Sequence, residues 1–168
     1  MNITIRNAKE EELLEIRKLR MVAYEDHIGS IPDEHWNALK KAVSSEADQQ
    51  PGVDLIVAEV NGNILGSVAL FPAKTDAYEG YVDVLDYPEI RVLAVIPQAR
   101  GKGIASSLIE ECILRAKAKG YSEIGLHTGD FMKDAIALYE RNGFERLPEH
   151  DFEPANDGII VKAFRRSI

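Results

Sequence analysis

The sequence contains a single cysteine and no long uninterrupted apolar run, and each scarcity excludes a class of protein. Cys112 has no second cysteine with which to form an internal disulfide, which suits a reducing compartment. Because it falls on the apolar face of a predicted helix, we expect a buried, unreactive thiol. No apolar stretch approaches the roughly 18 residues that cross a bilayer, and the first residues lack the pattern of a secretion signal. These features predict a cytoplasmic protein without membrane contact.

Basic residues are also fewer than acidic ones: 20 lysines and arginines and 28 aspartates and glutamates give a formal net charge of −8. Nucleic-acid binding usually needs a basic face, so we expect no nucleic-acid partner. An acidic surface favours cationic partners by steering, although solubility explains the charge equally well. No metal site is expected, because the histidines show no ligand spacing with cysteine or aspartate. The four histidines are His27, His35, His127 and His150.

The pattern of apolar residues predicts one α/β domain over residues 1–168, a length that can bury a real core. A short strand is expected first, where Ile3 and Ile5 alternate with polar residues, and helices follow at residues 8–27 and 33–43. Two strands at residues 54–60 and 63–71 follow, and the Asn61-Gly62 pair between them is a strong hairpin signal. The other expected strands lie at residues 89–96, 122–127, 144–146 and 158–164, with a partial strand at 80–85. One further helix follows the turn at residues 97–101 and runs to about Lys119, and another covers residues 131–142.

The most informative segment is residues 89–108, which runs from a strand through a glycine-rich turn into a helix. Gly101 and Gly103 let the backbone approach an anion, and the helix N-terminus adds partial positive charge. Arg100 and Lys102 add cationic side chains. This combination predicts a diphosphate site, with a plain turn before a helix as the structural alternative. The spacing fits neither a P-loop nor the dinucleotide-binding fingerprint.

Two motifs in this region resemble those of the GNAT superfamily of N-acetyltransferases. Residues 98–105, QARGKGIA, resemble its Gln/Arg-x-x-Gly-x-Gly/Ala signature, and residues 135–144, AIALYERNGF, resemble its second motif. The resemblance implies a twisted mixed sheet, flanked by helices, in which two central parallel strands splay apart to admit acetyl-CoA. It assigns cofactor contacts to Leu93, Ala94, Val95, Gln98, Arg100, Gly101, Lys102, Gly103, Ile104 and Ala105.

The activity that the resemblance implies is transfer of the acetyl group of acetyl-CoA to a primary amine by direct attack in a ternary complex. The amine could belong to a small molecule or a peptide, and a homodimer is left open. Two alternatives differ from this reading. One is a CoA-binding sensor or scaffold without catalysis, and the other is an acyltransferase that uses another acyl-CoA.

Three residues are candidates for catalysis. By the family pattern, Tyr139 is the general acid that protonates the departing CoA thiolate, or else a packed aromatic. The resemblance also makes Glu89 the candidate base, since in the histone-acetyltransferase branch a glutamate at the matching position deprotonates the amine through water. Glu89 lies four residues before Leu93 and so, by strand alternation, on the same side. Its alternative is a surface carboxylate. His127 is the rival base, since imidazole titrates near neutrality, or a cap of the following turn.

Met132 stands where the family often has an asparagine that contacts the cofactor, so that contact is not carried over.

The sequence says less about the acceptor. The acceptor side is expected between the first two helices and the loops at residues 72–88 and 148–157. The possible lining residues are Tyr24, Glu25, Trp36, Tyr81, Asp83 and Asp86.

Overall fold

The computed structural model describes residues 2–74 and 84–168. Within these ranges the strands are β1 (Thr4–Asn7), β2 (Asp54–Val60), β3 (Asn63–Phe71), β4 (Glu89–Val95), β5 (Glu123–Gly129), β6 (Glu145–Arg146) and β7 (Val161–Ser167). The helices are α1 (Leu13–Tyr24), α2 (Asp33–Val43), α3 (Ile104–Ala118) and α4 (Lys133–Arg141). No helix in the described part of the chain is long and apolar enough to cross a membrane.

The elements that local sequence signals define most clearly are those predicted best. α2, β2 and β3 have the predicted bounds. The hairpin turn is confirmed, with Asn61 and Gly62 at φ values of 52° and 82°, as a two-residue turn between twisted strands requires. Residues 80–83 of the expected partial strand lie outside the described residues, and Val84 and Leu85 are not in a strand.

Element ends are less well predicted, because contacts between distant residues set them. α1 ends at Tyr24 and not at His27, and the chain tightens into a 3-10 helix over Glu25–Ser30. Just before this change, the carbonyl oxygen of Ala23 accepts a hydrogen bond from the guanidinium of Arg100 at 3.0 Å. Residue periodicity carries no signal of a contact across 77 positions of the chain.

The strands form one seven-stranded sheet in the order β1-β2-β3-β4-β5-β7-β6. β4 and β5 are parallel, and every other neighbouring pair is antiparallel. Both central strands lie within the described residues, and their pairing consists of Glu89 with Gly125 and Ile90 with Leu126. Beyond these pairs β4 and β5 separate, so a gap opens toward their carboxyl ends. The predicted fold, a mixed sheet with splayed central parallel strands, is confirmed.

Apolar side chains cover both faces of the sheet. α3 buries the stripe Leu108, Ile109, Cys112, Ile113 and Ala116 on one face, at the spacing of a helix packed on a core. Burial raises the pKa of the Cys112 thiol to about 12, so it stays protonated and unreactive, as predicted. On the opposite face α1 packs against the sheet in a second cluster. The gap between β4 and β5 is therefore bordered by helices on both sides.

A buried ion pair fixes α1 in place. Arg20 on α1 lies 2.7 Å from the carboxylate of Asp48, and the two side chains are 1% and 3% exposed. Asp48 also lies 3.2 Å from Arg17 of the same helix. The two ion pairs tie α1 to the 3-10 helix Glu46–Gln49 that precedes β2, which matters because the end of α1 reaches the gap.

Candidate functional site

A bulge in β4 shapes the wall of the gap. Val92 has a φ of 48°, a left-handed conformation that is rare for a β-branched residue and costs about 1–3 kcal/mol. At this point β4 carries one extra residue relative to β3, opposite Val68. Side-chain alternation is therefore interrupted, and both Ile90 and Leu93 pack on the α3 side. The prediction that Glu89 and Leu93 share a side is wrong, because Glu89 points to the opposite face.

The backbone after the bulge presents polar groups to the gap. The amide of Ile96 donates to the carbonyl of Leu65 on β3 at 3.0 Å, which sets the alternation of the antiparallel ladder. Two residues earlier, Ala94 likewise directs its backbone groups to β3. The polar groups of Val95 and the carbonyl of Leu93 consequently face the gap. An extended ligand carrying amides can pair there as an added strand does.

The gap leads into the glycine turn at the start of α3. Gly101 and Gly103 have φ values of 78° and 82°, and no atom lies within 4 Å of where a Cβ would stand on either. The first N–H groups of a helix have no intrahelical partner, so those at the start of α3 can bind an anion. Gln98 is exposed in the preceding turn, whereas Ile104 is buried and Ala105 half-buried. Open space and free amide donors together fit a diphosphate.

The two cationic side chains of this turn are placed differently. The guanidinium of Arg100 forms an ion pair with Asp26 and donates to the carbonyl of Ala23. Lys102 is exposed, and no ion pair joins it to any residue in 2–74 or 84–168. We therefore expect Lys102 to supply more of the salt-dependent attraction for an anion than Arg100, whose charge Asp26 already offsets.

This difference gives a testable prediction. The affinity for CoA, measured by calorimetry, should fall as salt rises, because exposed charges are screened. Lys102→Ala should weaken binding about three- to fivefold at low salt and flatten the salt dependence. Lys117→Ala, at the far end of α3, is the control and should behave as the parent protein. A parent protein whose affinity does not change with ionic strength would show that only the amides hold the phosphates.

Glu89 and His127, predicted as rival bases, form one buried pair. Glu89 Oε2 lies 2.8 Å from Nδ1 of His127, and His127 Nε2 lies 3.1 Å from the carbonyl oxygen of His150. The side chains are 5% and 2% exposed, so the reading of Glu89 as a surface carboxylate is wrong. Both imidazole nitrogens face oxygens, and a neutral imidazole has one N–H. The two contacts therefore hold the imidazole in one orientation, between the carboxylate of Glu89 and the carbonyl of His150.

Aromatic rings enclose this pair. Burial, together with the negative charge of Glu89, raises the pKa of Tyr87 to about 12. The ring of Tyr87 lies so close to Gly125 that a Cβ there would stand 2.5 Å from a ring carbon. Phe152 packs 5.6 Å from the imidazole of His127. The sequence analysis missed both rings; the position of Tyr87 beside Pro88 and Glu89 was the available signal.

Tyr139 belongs to α4, and its side chain lies in the core that α3 covers. It is 7% exposed, and its ring meets that of Phe144 edge-on at 6.1 Å. Burial raises the pKa of Tyr139 far above its ordinary value, and the neighbouring Tyr24 and Cys112 add to the rise. The phenol is consequently a hydrogen-bond donor at any working pH. Packing and donation are compatible, so Tyr139 stays a predicted catalytic residue.

Met132, at the start of α4, joins the apolar cluster on the α1 side. Its sulfur accepts a hydrogen bond from the hydroxyl of Thr128 at 3.4 Å. A thioether has no strong donor or acceptor to offer a ligand. The structure thus gives this position a packing role and supplies no substitute for an asparagine contact.

Three segments meet on the expected acceptor side. Phe131 packs edge-on against His27 and His35, with ring centroids 5.3 Å and 5.6 Å apart. His35 Nδ1 lies 3.1 Å from a carboxylate oxygen of Asp157. Burial and the nearby charge of Arg100 lower the pKa of His27, so its ring is neutral near pH 7. Tyr81 and Asp83, two expected lining residues, lie outside the described residues, and no metal-binding group of three His, Cys, Asp or Glu side chains occurs within them.

Comparison with known proteins agrees with this architecture. The model of the acetyltransferase (GNAT) family matches residues 13–144. The chain is 33% identical over 98 residues to the uncharacterised N-acetyltransferase YjgM of Escherichia coli, covering 58% of this chain and 54% of that protein. It is 34% identical over 93 residues to N-acetyltransferase 8 of Rattus norvegicus, covering 55% and 40%. The chain thus spans about half, or less, of the length of these curated relatives.

The fold has close counterparts among solved structures. The PaiA N-acetyltransferase of Thermoplasma acidophilum, crystallised in complex with coenzyme A, superposes with a TM-score of 0.73 at 16% identity over 100% of both chains. This likeness supports the fold. The family model matches well over half of the chain. The protein belongs to the acetyltransferase (GNAT) family.

Proposed function

We propose that this protein transfers the acetyl group of acetyl-CoA to a primary amine by direct attack in a ternary complex. One observation carries the proposal: β4 and β5 separate after two paired positions, and the gap continues into the glycine turn at the start of α3. A slot lined by backbone groups that ends at an anion-binding turn suits a molecule with an extended amide arm and a diphosphate. The complex of the Thermoplasma relative with coenzyme A supports the same choice.

The diphosphate would lie against the amides that follow Arg100. The Arg100 amide itself donates to the carbonyl of Pro97 at 3.3 Å and is already occupied. The amides of Gly101 to Ala105 are therefore the donors that we assign to the diphosphate. The Leu93 carbonyl and the backbone groups of Val95 are assigned to the amide arm.

The acceptor amine must lose a proton before it attacks, because an alkylammonium has a pKa near 10. We assign this task to the Glu89–His127 pair acting as a unit through a water molecule, since both side chains are almost wholly buried. Glu89 orients the imidazole through Nδ1, and the His150 carbonyl can accept a hydrogen bond from Nε2–H.

The direct test is release of free thiol from acetyl-CoA across a panel of small-molecule and peptide amines. Release that depends on an added amine supports the transferase and contradicts the sensor reading. Replacing acetyl-CoA by longer acyl-CoA thioesters in the same assay distinguishes the acyltransferase alternative. No release with any amine, in a protein that binds CoA, would favour the sensor.

The site assignment has its own test in Gly103→Val. Valine fits poorly at a φ of 82° and should move the backbone away from the diphosphate. We expect the Kd for CoA to rise tenfold or more, about 1.4 kcal/mol. Gly120→Val is the matched control, because Gly120 has a φ of 88° and equally open surroundings at the other end of α3. Unchanged affinity in a folded Gly103→Val protein would contradict the assignment.

A further inference from the structure

The end of α1 reaches into the gap through a hydroxyl group. Tyr24 is the last residue of α1 and is 9% exposed. Its hydroxyl donates to the carbonyl oxygen of Leu93 at 3.2 Å. This carbonyl is one of the backbone groups that face the gap. A side chain from one helix thus contacts the strand wall where an extended ligand would pair.

The contact falls directly after the most strained point of β4. Val92 adopts its left-handed conformation immediately before Leu93. Such a conformation persists only where the surrounding structure holds it in place. The hydrogen bond from Tyr24 fixes the peptide group that follows the bulge. If the bulge relaxed toward a regular strand, the alternation of the next residues would reverse, and different backbone groups would face the gap.

The hydroxyl is suited to a permanent role as a donor. Burial raises the pKa of Tyr24 to about 12, so the phenol stays protonated throughout the working pH range. Tyr24 is also close enough to Tyr139 to contribute to the raised pKa of that residue.

The same helix end also anchors the glycine turn. Arg100 donates to the carbonyl of Ala23 and pairs with Asp26, the residues on either side of Tyr24 and Glu25. Both parts of the slot, the strand wall and the anion-binding turn, are tied to one short segment. The end of α1 can therefore set the distance between them.

We propose that Tyr24 is a positioning residue for acyl-CoA, acting through the Leu93 carbonyl to hold the bulged wall of the slot in its binding geometry. This inference rests on the proposed function. A purely structural Tyr24 would need its ring alone, since the ring packs in the α1 cluster whether or not it carries a hydroxyl. The hydroxyl is needed only if the orientation of the Leu93 peptide matters.

The test compares Tyr24→Phe with the parent protein. Phenylalanine keeps the ring and removes the donor, so the melting temperature should stay within a few degrees. The Kd for CoA and the KM for acetyl-CoA should both rise about three- to tenfold, the worth of one hydrogen bond, while the KM for the amine stays unchanged. Hydrogen exchange at the amides of residues 93–95 should quicken. Tyr121→Phe, before β5 and away from the gap, is the control and should change none of these.

The possible results distinguish failure of the role proposed for Tyr24 from failure of the proposed function. A Tyr24→Phe protein with unchanged Kd and KM for the CoA substrate overturns the inference and leaves the proposed function standing. A general loss of stability, with both KM values altered together, shows a structural role and also overturns it. A parent protein that binds no CoA overturns the proposed function and this inference with it.

Discussion

Replacing Glu89 by Gln, or His127 by Gln, should lower kcat about a hundredfold or more, and replacing both should lower it little further. General base catalysis is worth about 10² to 10⁴-fold, and residues that act as a unit give strongly non-additive effects. The 2.8 Å contact within the buried pair predicts this behaviour, because each side chain holds the other in its working orientation. Steady-state kinetics with a saturating amine would measure all three variants.

The double variant separates this unit from two independent bases. His35→Gln is the control, because His35 belongs to another buried pair with a carboxylate, and it should lower kcat far less than either single change in the unit. Additive losses in the double variant would contradict a single unit.

Tyr139→Phe should lower kcat about ten- to a hundredfold with little change in KM. A phenol whose pKa is raised by burial is a weaker acid than a thiol, which has an ordinary pKa near 8.5. Full proton transfer to the CoA thiolate is therefore unfavourable, and we expect Tyr139 to donate a hydrogen bond to it. Hydrogen bonds to charged groups contribute about 1.5–3 kcal/mol, which corresponds to this loss in rate. The interaction exists only as the thiolate forms, so it acts on kcat.

Comparing the pH–rate profiles of the parent protein and Tyr139→Phe shows whether the phenol donates a hydrogen bond or transfers its proton. Because the pKa of Tyr139 lies above the accessible range, its titration should add no basic limb to the parent profile, and Tyr139→Phe should leave that shape intact. A basic limb near pH 8 to 9 that disappears in the variant would show instead that the phenol gives up its proton. Full kcat in the variant, with the true amine, would reduce Tyr139 to a packing role.

The features that could be predicted from the sequence are those that local chemistry determines. The hairpin turn needs two consecutive left-handed residues, and Asn61-Gly62 is a pair that tolerates them. The glycine turn before α3 is similarly local, and Gly101 and Gly103 adopt the left-handed conformations that their position suggested. The order of the elements then allowed a splayed pair of parallel strands to be anticipated through the family resemblance.

The features that could not be predicted depend on distant contacts. Val92 gives no sequence signal of a bulge, since a β-branched residue favours a regular strand. Without the bulge, the face of Glu89 was assigned wrongly. The contact of Glu89 with His127 joins residues 38 positions apart, and that of Tyr24 with Leu93 joins residues 69 positions apart. Neither spacing has a period that a sequence pattern could reveal.

The meeting point of β4 and β5 has a mechanical consequence. Glu89 belongs to one of the two paired positions by which these strands still adhere, and its partner His127 lies two residues beyond Gly125 on the opposing strand. From this point toward their carboxyl ends, the distance between β4 and β5 grows. A molecule that pushes the two strands apart should therefore displace their carboxyl ends most and the paired residues least. The Glu89–His127 pair therefore occupies the part of the sheet that an entering molecule should displace least.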